Sequence, residues 1–360
     1  MRLLHYPTLA LCLIQASPAS RAAGQTLPPT LPPSLPPSLP QRWVAQSSGT
    51  TASLRGVSAV NPAVVWASGA GGAYLRTLDG GATWHAAVVP GAADLDFRSV
   101  RALDSRTAWL MSSGTGAKSR IYGTADGGAH WSPLYTNPDA NGFFDALAFW
   151  DARRGVVLGD PVEGQFVILT TGDGGQTWQR RILPPALPDE GAFAASNSCL
   201  TLRGDREVWF GTGGASGARV FHSSDGGLHW DVAGTPVRHD GAGAGIFSLG
   251  IAPSRHGVAV GGDYGKPAEA AGNVAVTSDG GRTWVEPAGA HPNGYRSAVA
   301  FLPGRKVWIA VGTSGSDISR DGGGSWTPFD SGAYNAIGAA GGEAVWAVGP
   351  GGRIGKLRFK

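Results

Sequence analysis

Charge is scarce in this chain: 15% of its 360 residues are Asp, Glu, Lys or Arg, and the 29 basic residues are scattered without a Lys/Arg run. The net charge of +3 is therefore not organised into a stripe for nucleic acid. Cysteine is scarcer still, with only Cys12 and Cys199. Cleavage of a leader near Ala19–Ala23 would remove Cys12 and leave no partner for an intramolecular disulfide. No stretch holds a 3.6-residue apolar period, which excludes a helical bundle. The chain also lacks a G-x-G-x-x-G following a strand, a P-loop, an H-E-x-x-H and a G-x-S-x-G, so dinucleotide, nucleotide, zinc-protease and hydrolase-elbow chemistries have no anchor. No cofactor and no metal are expected. What abounds is glycine (57) and proline (25), beside 42% hydrophobic residues, a profile of turns and strands.

Three regions follow from composition. Residues 1–23 carry Arg2, an apolar run from Leu9 to Ile14 and then small residues, the order of a secretory signal peptide. That run is too short to span a bilayer comfortably. Residues 24–41 contain LPPTLPPSLPPSLP, which prefers an extended polyproline path and reads as a linker. Residues 42–360 hold everything else. The expected location is periplasmic or extracellular.

Six segments in that last region share one pattern: Thr77–Trp84, Thr124–Trp131, Thr171–Trp178, Ser223–Trp230, Thr277–Trp284 and Ser319–Trp326, each with Asp-Gly-Gly inside and Trp at its end. This is the Asp-box, or BNR-like, repeat. Its aspartates are Asp79, Asp126, Asp173, Asp225, Asp279 and Asp321, and its tryptophans Trp84, Trp131, Trp178, Trp230, Trp284 and Trp326. Intervals of 47, 47, 52, 54 and 42 residues between the aspartates suit a four-stranded propeller blade. The carboxylate is expected to accept backbone N–H groups of its own turn, the glycines to take positive φ, and the Trp to pack a blade joint with its N–H near the wet rim. Strand-like runs recur upstream of each box, and a seventh set spans Tyr334–Phe359 without a Trp-bearing fourth strand. The expected fold is all-β: a seven-bladed β-propeller of four-stranded antiparallel blades. Strand 42–46 (RWVAQ) supplies the missing fourth strand by pairing with the C-terminal blade, so the ring has no open edge.

The boxes, the single-ring length and the short last unit resemble the photosystem II stability/assembly-factor family over about residues 42–360. That resemblance implies an exported seven-bladed propeller that uses arginines near its inner strands to bind a membrane-protein partner. The matching slot, second in each innermost strand, holds Arg55, Arg98, Phe144, Asn197, Phe247, Arg296 and Asn335. Arg55, Arg98 and Arg296 then fall on one arc interrupted only by Asn335, an arrangement suited to carboxylates, phosphates or an acidic peptide end. Only three of the seven slots are Arg, so the architecture carries over and the photosystem client does not. The expected partner is a protein or peptide, such as a segment of an exported or membrane protein.

The other class open to such repeats is a sialidase-like glycoside hydrolase, for which a carbohydrate ligand would need an acid and a nucleophile. Candidates on the side of the inter-blade loops are Asp145, Asp160, Glu163, His239–Asp240, Asp263 and Tyr264. No Arg-Ile-Pro segment and no clear Tyr–Glu pair accompany them, and each acid also suits a turn in a Gly/Pro-rich loop. Cys199 lies among apolar residues, as an inert buried thiol does.

Overall fold

The computed structural model describes residues 41–359, and the leader and nearly all of the linker lie outside them. Seven antiparallel sheets follow one another around a ring. The first blade shows the order that the others repeat: innermost strand Leu54–Ala59, then Val65–Gly69, Ala73–Thr77 and the outer His85–Val88. The second strands are the driest. Val65–Gly69, Ala108–Ser112 and Val307–Gly312 are buried throughout, sandwiched between neighbouring blades. Their near-continuous apolar runs reflect burial on both faces, as in any internal sheet.

The ring closes as expected. Gln41–Gln46 pairs antiparallel with Ile354–Phe359, from Gln41 opposite Phe359 to Gln46 opposite Ile354. Side chains then tie the seam to both neighbouring blades. Trp43 Nε1 donates to Ser316 Oγ of blade six at 3.0 Å, while Lys356 Nζ donates to Gly80 O and Trp84 Nε1 to Gln46 Oε1 in the direction of blade one. Joining the two chain ends in one sheet removes the unpaired strand edges that would otherwise invite association.

Blade five departs from the pattern. Its outer strand is reduced to a single bridge between Val276 and Val285, and two short segments, Glu190–Gly191 and Gly213–Gly214, extend the sheet inward instead. Both come from earlier in the chain. Residues 182–199 join the outer strand of blade three to the inner strand Leu200–Arg203 of blade four, and within them residues 192–196 reach blades two, three, five and six across the middle of the ring. The corresponding connections elsewhere, such as 89–96, 137–143 and 331–335, are short.

The six Asp-Gly-Gly turns are built alike. The leading hydroxyl donates to the Asp carboxylate at 2.8–2.9 Å and accepts the N–H of the second glycine, for example Thr277 Oγ1 to Asp279 Oδ1 at 2.8 Å and Gly281 N to Thr277 Oγ1 at 3.0 Å. The carboxylate also accepts the backbone N–H four residues on, as from Thr83 and Ser325. Trp packing differs in one respect from expectation. In four turns the indole N–H donates to the carbonyl of the second glycine, as Trp284 to Gly281 at 3.1 Å, and so closes the turn rather than reaching the rim. That second glycine also sets the spacing between blades. At Gly323, with φ of +94°, an added Cβ would lie 2.6 Å from Val258 of the preceding blade, so the position is closed to side chains by both angle and space.

Candidate functional site

Because strands alternate in direction, the Asp-Gly-Gly turns lie on one face of the ring, and the inter-blade connections and second-to-third-strand hairpins lie on the other. The inner strands begin on that second face, four of them with an irregular first step. Register shifts fall between Leu54 and Gly56, Phe97 and Ser99, Phe144 and Ala146, and Ile246 and Ser248. The residue skipped in each case is Arg55, Arg98, Asp145 or Phe247. A bulge re-aims the extra side chain, and here it selects the residues around the channel mouth. This corrects the alignment in blade three, where the equivalent residue is Asp145, one position beyond the expected Phe144.

The mouth contains a recess of about 360 Å³ whose lining includes Arg55, Arg98, Phe247, Tyr264, Tyr295 and Asn335. Phe247 is its centre: it stacks on Phe193 with ring centroids 3.9 Å apart and meets Tyr295 edge-on at 4.8 Å. Tyr295 is buried, which raises its phenol pKa, whereas Tyr264 stands 61% exposed at the lip. Phe193 and Tyr295 were not singled out in the sequence. The only sequence signal for Phe193 is the long 52-residue interval between Asp173 and Asp225, where extra chain had to go somewhere.

The two mouth arginines differ. Arg98 donates from Nε to Asp96 at 2.8 Å and from Nη1 to the Ala194 carbonyl at 3.2 Å. Arg55 makes no ion pair or side-chain hydrogen bond among the described residues, and its Nε is buried without a partner. Burial first, then the neighbouring Arg98, lowers its pKa, with Asp96 and Tyr295 opposing. An incompletely satisfied guanidinium beside aromatic walls suits a ligand with an oxygen acceptor and an apolar face.

Arg296 does not join this arc. It is 1% exposed and turned into blade six, where it donates to Asp317, to the carbonyls of Tyr295 and Asn293, and to Ser314 Oγ. Asp317 is itself fully buried, so the pair is a structural tie. Asn335 lines the recess, but its Nδ2 donates to Leu54 O at 2.8 Å and bridges blade seven to blade one. Asn197 has φ of +68° and accepts Leu147 N, capping blade three from ahead of the blade-four strand.

The acids separate into buried and exposed groups. Asp145 is 1% exposed, and neither carboxylate oxygen has a hydrogen-bond partner among the described residues. Burial first, then Asp160, raises its pKa well above the usual carboxylate range, against the pull of Arg98. Asp160 is also raised by burial, while accepting Ala192 N at 2.9 Å. Cys199 lies buried near both acids, and its thiol is pushed upward by burial and then by Asp145. Glu163 sits exposed in the blade-three hairpin with φ of +53°. Asp263 accepts Gly265 N within its own turn at 2.8 Å. Asp240 is clamped by Arg238, and His239 Nδ1 lies 3.0 Å from Val237 O. Of the expected site residues, the recess thus brings together Arg55, Arg98, Asn335 and Tyr264. Among the described residues no group of three or more His, Cys, Asp or Glu side chains is placed to hold a metal.

A second groove of about 370 Å³ runs between blades three and four and is lined by Trp150, Arg154, Arg181, Arg206 and Asp225. Several of its polar groups already have partners: Arg154 donates to Asp151 and to Asp205 O, and Arg181 to Thr170. The channel mouth is therefore the better candidate.

Fold and site together define a seven-bladed propeller with a cationic, aromatic recess at the channel mouth. No family model matches the sequence, and no curated protein does. Solved structures do match. YCF48 bound to D1 peptide is 19% identical with a TM-score of 0.63, over 89% of this chain and 99% of that one. YCF48 from Cyanidioschyzon merolae, a photosystem II assembly factor, is 18% identical with a TM-score of 0.62, over 88% and 98%. U3-55K is 14% identical with a TM-score of 0.61, over 89% and 98%. At these identities the shared property is the ring itself.

Proposed function

We propose that this chain is an exported binding scaffold that holds a peptide or protein segment at the channel mouth, as an assembly or stability factor of the photosystem II assembly-factor-like type acting on a client of its own. The observation that carries this reading is Arg55: a half-buried guanidinium whose Nε is buried without a partner among the described residues, facing a recess walled by Phe247 and Tyr295. Nature of the wall and size of the recess suit a few residues of a peptide better than a flat protein surface. The D1 peptide on the similar propeller YCF48 supports the same reading. Export rests on the leader-like residues 1–23, and fusion of that segment to a reporter active only outside the cytoplasm tests it.

The binding test uses a displayed peptide library selected on the wild-type chain and on Arg55→Glu. Wild type is expected to enrich a peptide class that the variant does not, and identical selections would overturn the reading. The glycoside-hydrolase alternative draws support only from Asp145 and Asp160, the two acids with raised pKa. Aryl glycosides and sialosides, assayed with Asp145→Asn and Asp160→Asn controls, decide it: absence of turnover removes the alternative.

A further inference from the structure

The recess is already shared with a piece of the chain itself. Residues 182–199 leave the outer strand of blade three, cross the mouth and return to the inner strand of blade four. Their base is fixed on the second-to-third-strand hairpin of blade four. The buried Glu190 carboxylate accepts from Arg219, Thr212 and Leu187 N, and Glu190–Gly191 pairs with Gly213–Gly214. Two residues with positive φ, Asp189 and Asn197, flank the crossing. These bends delimit the strap Ala192–Ser196.

Within the strap, successive residues reach different blades. Ala192 N donates to Asp160 of blade three, Phe193 stacks on Phe247 of blade five, the Ala194 carbonyl accepts Arg98 of blade two, and Ser196 Oγ donates to Ser297 O of blade six at 2.7 Å. Ala195 N donates back to the Phe193 carbonyl at 2.8 Å, which bends the tip. Only one large side chain, Phe193, holds the strap, and its ring remains partly exposed beside the open recess. Ala-Ala-Ser buries little apolar surface, so the crossing is anchored firmly at its base and lightly at its tip.

We infer that Ala192–Ser196 occupies the seat of the partner, and that the partner is a short bent segment of the same chemistry: an aromatic residue, two small residues and a hydroxyl. The inference rests on the peptide-binding reading above. The partner's aromatic ring takes the face of Phe247, its second carbonyl takes Arg98, its hydroxyl takes Ser297 O, and the strap swings out on its two flanking bends. Tethering gives the strap a local concentration in the millimolar range, so a free peptide competes poorly until the strap is weakened.

The test uses the full chain and a fluorescent synthetic peptide with the sequence of residues 191–197, GAFAASN, read by anisotropy. Phe193→Ala is expected to bind this peptide about tenfold or more tightly than the intact chain, and a peptide with Ala in place of Phe is expected to lose that gain. Equal binding by folded Phe193→Ala and intact protein, or indifference to the peptide's aromatic residue, would overturn the inference. If Phe193→Ala fails to fold, hydrogen exchange on the intact chain with millimolar GAFAASN decides: faster exchange at residues 192–196 supports displacement, and unchanged or slower exchange opposes it. Arg55-dependent peptides from the library that lack an aromatic–small–small–hydroxyl core would overturn this inference and leave the peptide-binding reading intact.

Discussion

The two faces of the ring solve opposite problems. On one, six turns repeat the same hydroxyl, carboxylate, glycine pair and indole, with a shared set of hydrogen bonds closed inside each turn. On the other, the corresponding inner-strand slots hold Arg, Arg, Asp, Asn, Phe, Arg and Asn, and two of these side chains, Arg55 and Asp145, carry buried polar atoms without partners. Uniform chemistry marks where the architecture must be identical from blade to blade. Diverse chemistry marks the face free to recognise something else; an orphaned buried polar group costs stability and persists where another requirement holds it, as at Arg55 and Asp145, while the turns have one such atom, Trp131 Nε1.

The sharpest way to break this contrast is at Arg296, which sits on the diverse face but behaves structurally. Arg296→Met should cost about 3–5 kcal/mol in chemical denaturation, because it strands the buried Asp317 charge, while Arg55→Met at the equivalent slot should be within about 0.5 kcal/mol of wild type. Comparable losses in the two variants would show that both arginines are structural. Next in size is a turn: Thr277→Val removes the acceptor of the buried Gly281 N–H and should cost about 1–3 kcal/mol by the same measurement.

The faces should also respond oppositely to pH. Asp173 is held at about 2 by hydrogen bonds from Thr177 and Thr171, below its ordinary value of 3.8. Its turn is therefore at full strength above pH 3.8 and weakens as pH falls toward 2. Asp145 is shifted upward, so the folded chain retains a proton there that the unfolded chain releases above pH 3.8, and stability falls as pH rises from that point. Asp145→Asn should accordingly raise the melting temperature by about 2–4 °C at pH 7 and by nothing at pH 3. A gain independent of pH would mean that packing rather than charge is responsible. Smallest of all, Tyr264→Ala at the exposed lip should leave the melting temperature within about 1 °C of wild type, which calorimetry would check.

Legibility in the sequence followed the same division. Turn chemistry is local: Thr277, Asp279, Gly281 and Trp284 lie within one hairpin, so their spacing announces their geometry. The seam was legible too, since Trp43 lay in a strand-like run without a box and the last unit lacked a Trp-bearing strand. The mouth was only partly so. Arg55 and Arg98 fell in the right slot, but the same pattern placed Arg296 among them, and nothing in its neighbourhood pointed to Asp317 and Ser314 as its partners. In blade three the slot was displaced by one residue, because a bulge is invisible in an alternation of apolar residues.

Taken alone, the order of amino acids determined the number of blades, the turns that fold each one and the joining of the chain ends, since each depends on residues close in sequence or on a strand without a mate. Only the tertiary structure decided which side chains meet at the channel mouth. There, Ser196 reaches Ser297 and Arg98 reaches Ala194, contacts set by the closure of the ring and by single-residue bulges, and a one-residue shift on a strand turns a side chain from the channel to the core.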